Sequence, residues 1–434
     1  MSHKHAMKDI DDIGNIAAEN ILAYGVQWNN LTSGSACIRI GNPALHISLP
    51  IQTAIRRCIV DDVGTVKYYL NPDNSLLKVN GQPADLSGND GQVMVEIPQY
   101  YAKFSTDGDI HRLMISQYAL KGYTIIPKLY IGAFEASLQR STLKLASVIN
   151  SGIDFRGGNN NALWDAQPNT LLGKPVTSIN LTNFRTYARN RGARWHVHPY
   201  IHYHSLRWLF IVEFANRNSQ LPINSTLTVE GYRQGGLGDG PTTVSGSNWN
   251  TFSNYNPIIP CGITTSLGNK TGEVNYNVIG FTGGDINVKV NSYRGIEMPF
   301  GHIWEFIDGV LFDIQAIDAG NESKIYICDL PQNFADTITS NYRQIGLLPR
   351  NESWITKVNW NEGCLLPSTV SGGSNVTFFC DYNSTNLPGS LSSVRALLSG
   401  GNAYYTSHAG LFPANSSYGP SLATAHFGSR LCFL

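Results

Sequence analysis

Four histidines stand at alternate positions in the run Trp195-His196-Val197-His198-Pro199-Tyr200-Ile201-His202-Tyr203-His204. In an extended chain His196 and His198 share a face, and so do His202 and His204. Three or four imidazoles meeting at one focus would hold zinc or copper. Pro199 and the helix expected beyond it separate the pairs, and no Asp, Glu or Cys completes a ligand set. Packing is therefore the expected role of these rings, and no cofactor is expected. The seven cysteines are Cys37, Cys58, Cys261, Cys328, Cys364, Cys380 and Cys432. They are odd in number and widely spread, which argues against a disulfide framework or a zinc site. Gly235-Gly236-Leu237-Gly238-Asp239-Gly240 lacks the Lys-Ser/Thr and the strand-to-helix setting of a phosphate cradle, so a flexible surface loop is expected there.

The elements that would position such groups come next. With 434 residues the chain has room for two or three domains. Lys plus Arg equals Asp plus Glu at 31 each, which leaves no basic footprint for a nucleic acid. No apolar run approaches a membrane span, and Met1 to Ile10 lacks the apolar core of a signal peptide. Nine Asn-x-Ser/Thr sequons, among them Asn180, Asn224, Asn351 and Asn383, then read as polar loops.

Residues 1–40 form a leader, in which Ile10, Ile13, Ile16, Ala17, Ile21 and Leu22 fit one helix. Its apolar stripe would dock on the chain's own body, or else make a symmetric contact or attach to a larger particle. Residues 41–125 read as a β-rich domain with strands at Arg56-Arg57-Cys58, Val66–Leu70 and Val93–Ile97 and no catalytic constellation. Residues 126–434 form the remaining unit, opened by the strand Tyr130–Ala136. A helix capped by Asn180 or Thr182 covers Phe184 to Arg191, and Leu206–Ala215 reads as a helix buried on most of its circumference. Residues 216–290 are long, polar and Gly-rich.

The stretch Arg294–Asp313 is apolar on both faces at Ile303, Trp304, Phe306 and Ile307, as a strand inside a domain must be. Asp308-Gly309 is a two-residue turn signal, so a buried hairpin is expected, with Val310-Leu311-Phe312 returning. Glu305 lies within it and needs loop N–H groups or an Arg.

Gly301-His302-Ile303-Trp304-Glu305-Phe306 resembles the Gly-Asn-Val-Trp-Glu-Trp strand of the formylglycine-generating-enzyme family. That family implies an α+β fold: a C-type-lectin-like, sulfatase-modifying-factor-like domain, here preceded by the β-rich N-terminal region. The same fold carries the variable proteins of diversity-generating retroelements, including phage receptor-binding tail proteins of the major tropism determinant type. The C-terminal stretch from Arg395 resembles their variable region, about residues 400–430 here. Gly400-Gly401, Ala409-Gly410-Leu411-Phe412 and Gly428-Ser429-Arg430-Leu431 read as scaffold. Between them stand Tyr404, Tyr405, Thr406, Ser407, His408, Pro413, Asn415, Ser416, Ser417, Tyr418, Leu422, Thr424 and His426. Randomising the adenines of Asn codons yields such residues and never Lys, Glu, Gln, Met or Trp, which are absent from this stretch.

The resemblance implies a non-enzymatic receptor-binding protein of a phage or prophage particle, with those thirteen residues as its ligand-binding face. Tyr offers rigid amphipathic contact area, and Ser, Thr, Asn and His offer adaptable hydrogen bonds. The partners implied are a host cell-surface protein or glycan, and other virion proteins through the N-terminal region. A homo-oligomer, trimeric in some family members, would add avidity. Such a protein is made in the bacterial cytoplasm and ends in the virion, as part of a tail or surface appendage. A structural virion protein without a receptor is the alternative. An oxidase of the formylglycine-generating type would need paired thiols after Gly400-Gly401, where Tyr404, Tyr405 and Ser407 stand.

Overall fold

A computed structural model describes residues 14–223, 227–252, 255–280 and 284–434. Ile10 and Ile13 of the expected leader helix and the Asn224 sequon lie outside the described residues; residues 14–22 are helical.

The fold is β-rich, with 35% strand against 16% helix in several largely antiparallel sheets, and this overturns the expected α+β class. Strands occur even in the long, polar and Gly-rich stretch. Residues 216–290 contain the antiparallel pair Gly272–Val278 and Ile286–Tyr293. Val278, Val288 and Val290 close a separate core with Trp249, Phe252, Ile303 and Ala403. Apolar residues spaced two apart on each strand line one face, which a loop could not present.

Three larger sheets organise the rest. A five-stranded sheet runs in the order Ile38–Gly41, Ala23–Asn29, Ile110–Ser116, Tyr100–Asp107, Thr124–Ile126. A six-stranded sheet runs Trp195–Val197, Leu431–Phe433, Leu129–Gly132, Gln92–Ile97, Arg56–Val60, Val66–Tyr69. It joins strands from either side of residue 125, so the β-rich N-terminal region and the C-terminal end of the chain share one sheet. The third sheet has Trp304–Ile314 inside it, between Ser323–Ile327 and Ser393–Gly400, and continues through Gly410–Asn415.

Trp304–Ile314 is one eleven-residue strand, where a hairpin was expected. Its register against Ser393–Gly400 shifts between Ile307 and Leu311, so Asp308-Gly309 forms an irregularity in a continuing strand. Gly309 takes φ 84°, as the turn signal required, but the Arg185 guanidinium grips Asp308 at 2.8 and 2.9 Å and the Asp308 amide donates to the His198 carbonyl at 2.9 Å. Held on both sides, the chain bulges and does not reverse.

The central helix is Tyr200–Phe214, in which every residue except Ile201 is buried. It starts one residue after Pro199, whose fixed φ and missing N–H suit a helix entrance. His202 and His204 therefore lie on the helix, and the extended spacing that paired them does not exist. The helix Leu181–Arg189 is capped by the Asn180 side chain, which accepts from the Asn183 amide. No helix among the described residues is long and apolar enough to cross a membrane.

Candidate functional site

The segment between Gly400 and Phe427 leaves and rejoins the fold beside the same two residues. Glu305 pairs with Ser399 in the antiparallel neighbour, while Trp304 and Glu305 pair in parallel with Phe427 and Gly428. The Trp304 amide donates to the His426 carbonyl at 2.9 Å, and the Ala403 amide donates to the His302 carbonyl at 3.0 Å. The Gly301–Phe306 motif is thus the clamp that holds both ends of the C-terminal segment.

That clamp is fixed from beneath by two buried acid–histidine contacts. His302 Nδ1 lies 2.6 Å from Glu135 Oε2, and its Nε2 accepts from the Ile258 and Ile259 amides at 3.2 and 3.1 Å. Because Nε2 accepts, the ring proton sits on Nδ1 and is donated to Glu135. Glu305 meets His198 Nδ1 at 2.9 Å and Arg430 Nε at 2.7 Å. Burial disfavours its charge, yet Arg430 and His198 together hold the carboxyl below its ordinary value. Burial holds His198 below its ordinary value as well, despite the opposing pull of Glu305. The Arg expected beside Glu305 is therefore Arg430, one of the C-terminal scaffold residues, and the two form an ion pair.

Within the segment, Gly401 has φ 73°, and a Cβ there would stand 2.6 Å from that of Ala409. Only glycine fits this turn. The turn sends the chain outward through Tyr404 and Tyr405 into a 3-10 turn, Thr406–His408. Strand Gly410–Asn415 then returns inward, with the Phe412 amide donating to Asp381 at 2.7 Å and the Leu411 amide to Ser219 at 2.9 Å. Burial drives the Asp381 carboxyl well above its ordinary value.

The thirteen expected binding residues divide. Tyr404 and Thr406 are exposed, and Tyr405, Ser407, His408, Tyr418, Leu422, Thr424 and His426 are half-buried. Pro413, Asn415, Ser416 and Ser417 are buried. Asn415 turns its carbonyl oxygen onto the Ser417 amide at 2.9 Å, and the Ser416 amide donates to Ser384 at 2.9 Å. Those four residues hold the middle of the segment against the fold and are buried in this chain.

The outward residues are joined by rings. His408 stacks on Tyr382 with centroids 4.0 Å apart and planes 3° apart, and the Trp354 indole stands edge-on to both at 5.0 and 5.5 Å. Tyr405 lies 6.3 Å from His408 and 6.2 Å from Tyr404. Tyr404 continues to Tyr255 at 6.1 Å, and Tyr255 to His426 at 5.5 Å. Tyr255, Trp354 and Tyr382 come from distant parts of the chain and were not anticipated. Each is an aromatic in a polar stretch, as in Glu352-Ser353-Trp354 and Asp381-Tyr382-Asn383, which is the one local signal that marks them. The His408 imidazole is held below its ordinary value by burial, against the nearby Glu352 carboxylate, which favours its charge.

Such a face can bind by stacking and hydrogen bonding. Among the described residues no group of three or more His, Cys, Asp or Glu side chains could hold a metal ion. His196 lies in a short strand, while His202 is sealed in the central helix with neither ring nitrogen hydrogen-bonded. No protein-family model matches the chain, and no curated protein matches it at a significant level.

Proposed function

We propose that this chain is a non-enzymatic binding protein that presents residues of about 400–430 as a recognition face for a host cell-surface protein or glycan. In this reading it is a receptor-binding component of a phage or prophage particle, of the kind that retroelement-diversified proteins form. It is made in the bacterial cytoplasm and carried in the virion as a homo-oligomer, with its N-terminal region against other virion proteins.

The observation that carries the reading is the ring-connected surface of Tyr404, Tyr405, His408 and His426. A segment pinned at both ends by Trp304 and Glu305 can change its outward side chains without disturbing the core. Tyr255, Trp354 and Tyr382 would form the constant part of that surface.

Deep sequencing of the 3′ end of the gene across a population tests this. Substitutions should gather at Tyr404, Tyr405, Thr406, Ser407, His408, Leu422, Thr424 and His426. They should spare Gly401, Gly410, Phe412 and the buried Asn415, Ser416 and Ser417. A uniform, low rate along the gene would leave a fixed structural protein as the better description.

A further inference from the structure

A second recessed surface lies apart from the aromatic face and shares no residue with it. The strand Val66–Tyr69 is the edge of the six-stranded sheet, and the chain folds back over its end. The Val79 amide donates to the Tyr69 carbonyl at 3.1 Å, and Leu70 bridges to Lys78. Against these segments, and bounded also by Thr53, Arg56 and Asn269, is a cleft of about 590 Å³. Tyr68, Tyr69, Leu70, Pro72 and Val79 give it an apolar lining, and Arg56 and Lys78 add charge. The volume is that of a site for one small organic molecule.

The two cations differ in their surroundings. The Arg56 guanidinium sits 3.6 Å from the centre of the Tyr69 ring and is paired with Glu96 at 3.1 Å. Glu96 also takes Lys128 at 3.9 Å and the hydroxyls of Tyr69 and Tyr130 at 3.1 and 2.9 Å. The Lys78 ammonium rests 4.3 Å from the centre of the Tyr68 ring, and among the described residues it has no carboxylate partner. The Tyr68 hydroxyl donates to the Asp90 carboxylate at 2.7 Å, and Asp90 is not part of the cleft lining. Beside Lys78, Val79 is 62% exposed, an apolar side chain left in water next to an unpaired cation.

An apolar lining that includes Arg56 and Lys78 and, among the described residues, no carboxylate complements a molecule with an apolar body and one negative charge. We propose that this cleft binds a small amphipathic carboxylate. Its alkyl or aromatic body would lie along Tyr69, Pro72 and Val79, and its carboxylate would pair with Lys78 and the open edge of Arg56. Inorganic phosphate matches the site less well, because it has no apolar body to lie along Tyr69, Pro72 and Val79.

Titration calorimetry of the full chain with decanoate, decanol and inorganic phosphate tests the assignment. Decanoate should bind saturably with one site per chain, and decanol and phosphate at least about tenfold more weakly. Lys78→Gln should weaken decanoate about tenfold, and Val79→Glu should abolish its binding. Val79 is exposed, so its replacement leaves the fold intact, which an unchanged melting temperature would verify. Equal binding of decanol, or an unchanged affinity in both variants, would overturn the proposal. So would the absence of any saturable decanoate binding. None of these outcomes bears on the aromatic face, whose test is separate.

Discussion

The indole of Trp304 meets the ring of Tyr405 nearly at right angles, 77° between planes and 5.4 Å between centroids. Trp304 is 2% exposed and belongs to the central sheet, whereas Tyr405 belongs to the surface segment. The pair ties the position of the core to the proposed recognition face. Trp304→Ala should cost about 3–5 kcal/mol of stability through the cavity it leaves, read from urea denaturation. Tyr405→Ala removes the outward partner of the same contact. It should cost about 1 kcal/mol or less, while receptor binding falls at least about tenfold in a pull-down titration.

His302 should behave as a structural latch. Replacing it with Ala leaves the Glu135 carboxylate buried without its imidazole partner and frees the Ile258 and Ile259 amides. Breaking a buried pair in this way costs roughly 3–5 kcal/mol. Hydrogen exchange should accelerate at Ile258 and Ile259 first, because His302 Nε2 is the acceptor for both. Unchanged protection there would show that the latch does not hold that loop.

Tyr382 and Trp354 form one side of the proposed face although neither belongs to the C-terminal segment. Tyr382→Ala removes the ring against which His408 stacks. The expected result is a small loss of thermal stability with a larger loss of receptor affinity. Tyr404→Ala is a useful partner variant, since Tyr404 is 51% exposed and should change stability by about 0.5 kcal/mol or less. Retained affinity in both would remove these rings from the binding surface.

Acid should destabilise the fold from about pH 6.5 downward, earlier than carboxylate titration alone would produce. Burial lowers His46 and His196 to about 4, and it holds His202 and His204 well below their ordinary value. Below pH 6.5 the unfolded chain takes up protons that these rings refuse in the folded state, so acid favours unfolding. Each withheld proton steepens the dependence by about 1.4 kcal/mol per pH unit. Asp381 and Glu297, both raised by burial, act in the opposite sense between their ordinary and folded values, but they are fewer than the histidines held down, which include His198 and His426 as well. Melting temperature should therefore decline between pH 6.5 and 5. A flat profile there would mean that the histidines titrate normally.

Much of the scaffold could be read from local pattern. Apolar residues on both faces around Trp304 required a buried strand, and the density of Trp208 to Phe214 required an enclosed helix. Gly401 and Gly410 stand where the backbone comes close to a neighbour. Local alternation determines which side chains must leave water, because that depends on each residue's own chemistry and its period along the chain.

Tertiary structure decided which neighbour covers each of them. Asp308-Gly309 carries the chemistry of a turn but continues as a strand, because Arg185, 123 residues away, grips Asp308. The β-rich class followed from three sheets of five, six and eight strands, and residues 216–290 added one more strand pair that their polar and glycine-rich composition hid. Asn415, Ser416 and Ser417 have the composition of a binding loop, yet they are buried against Ser384 and its surroundings. Tyr255, Trp354 and Tyr382 reach the aromatic face from three separate places in the chain. A short window of sequence records what a side chain prefers, whereas a surface is assembled from segments that meet only when the chain is folded.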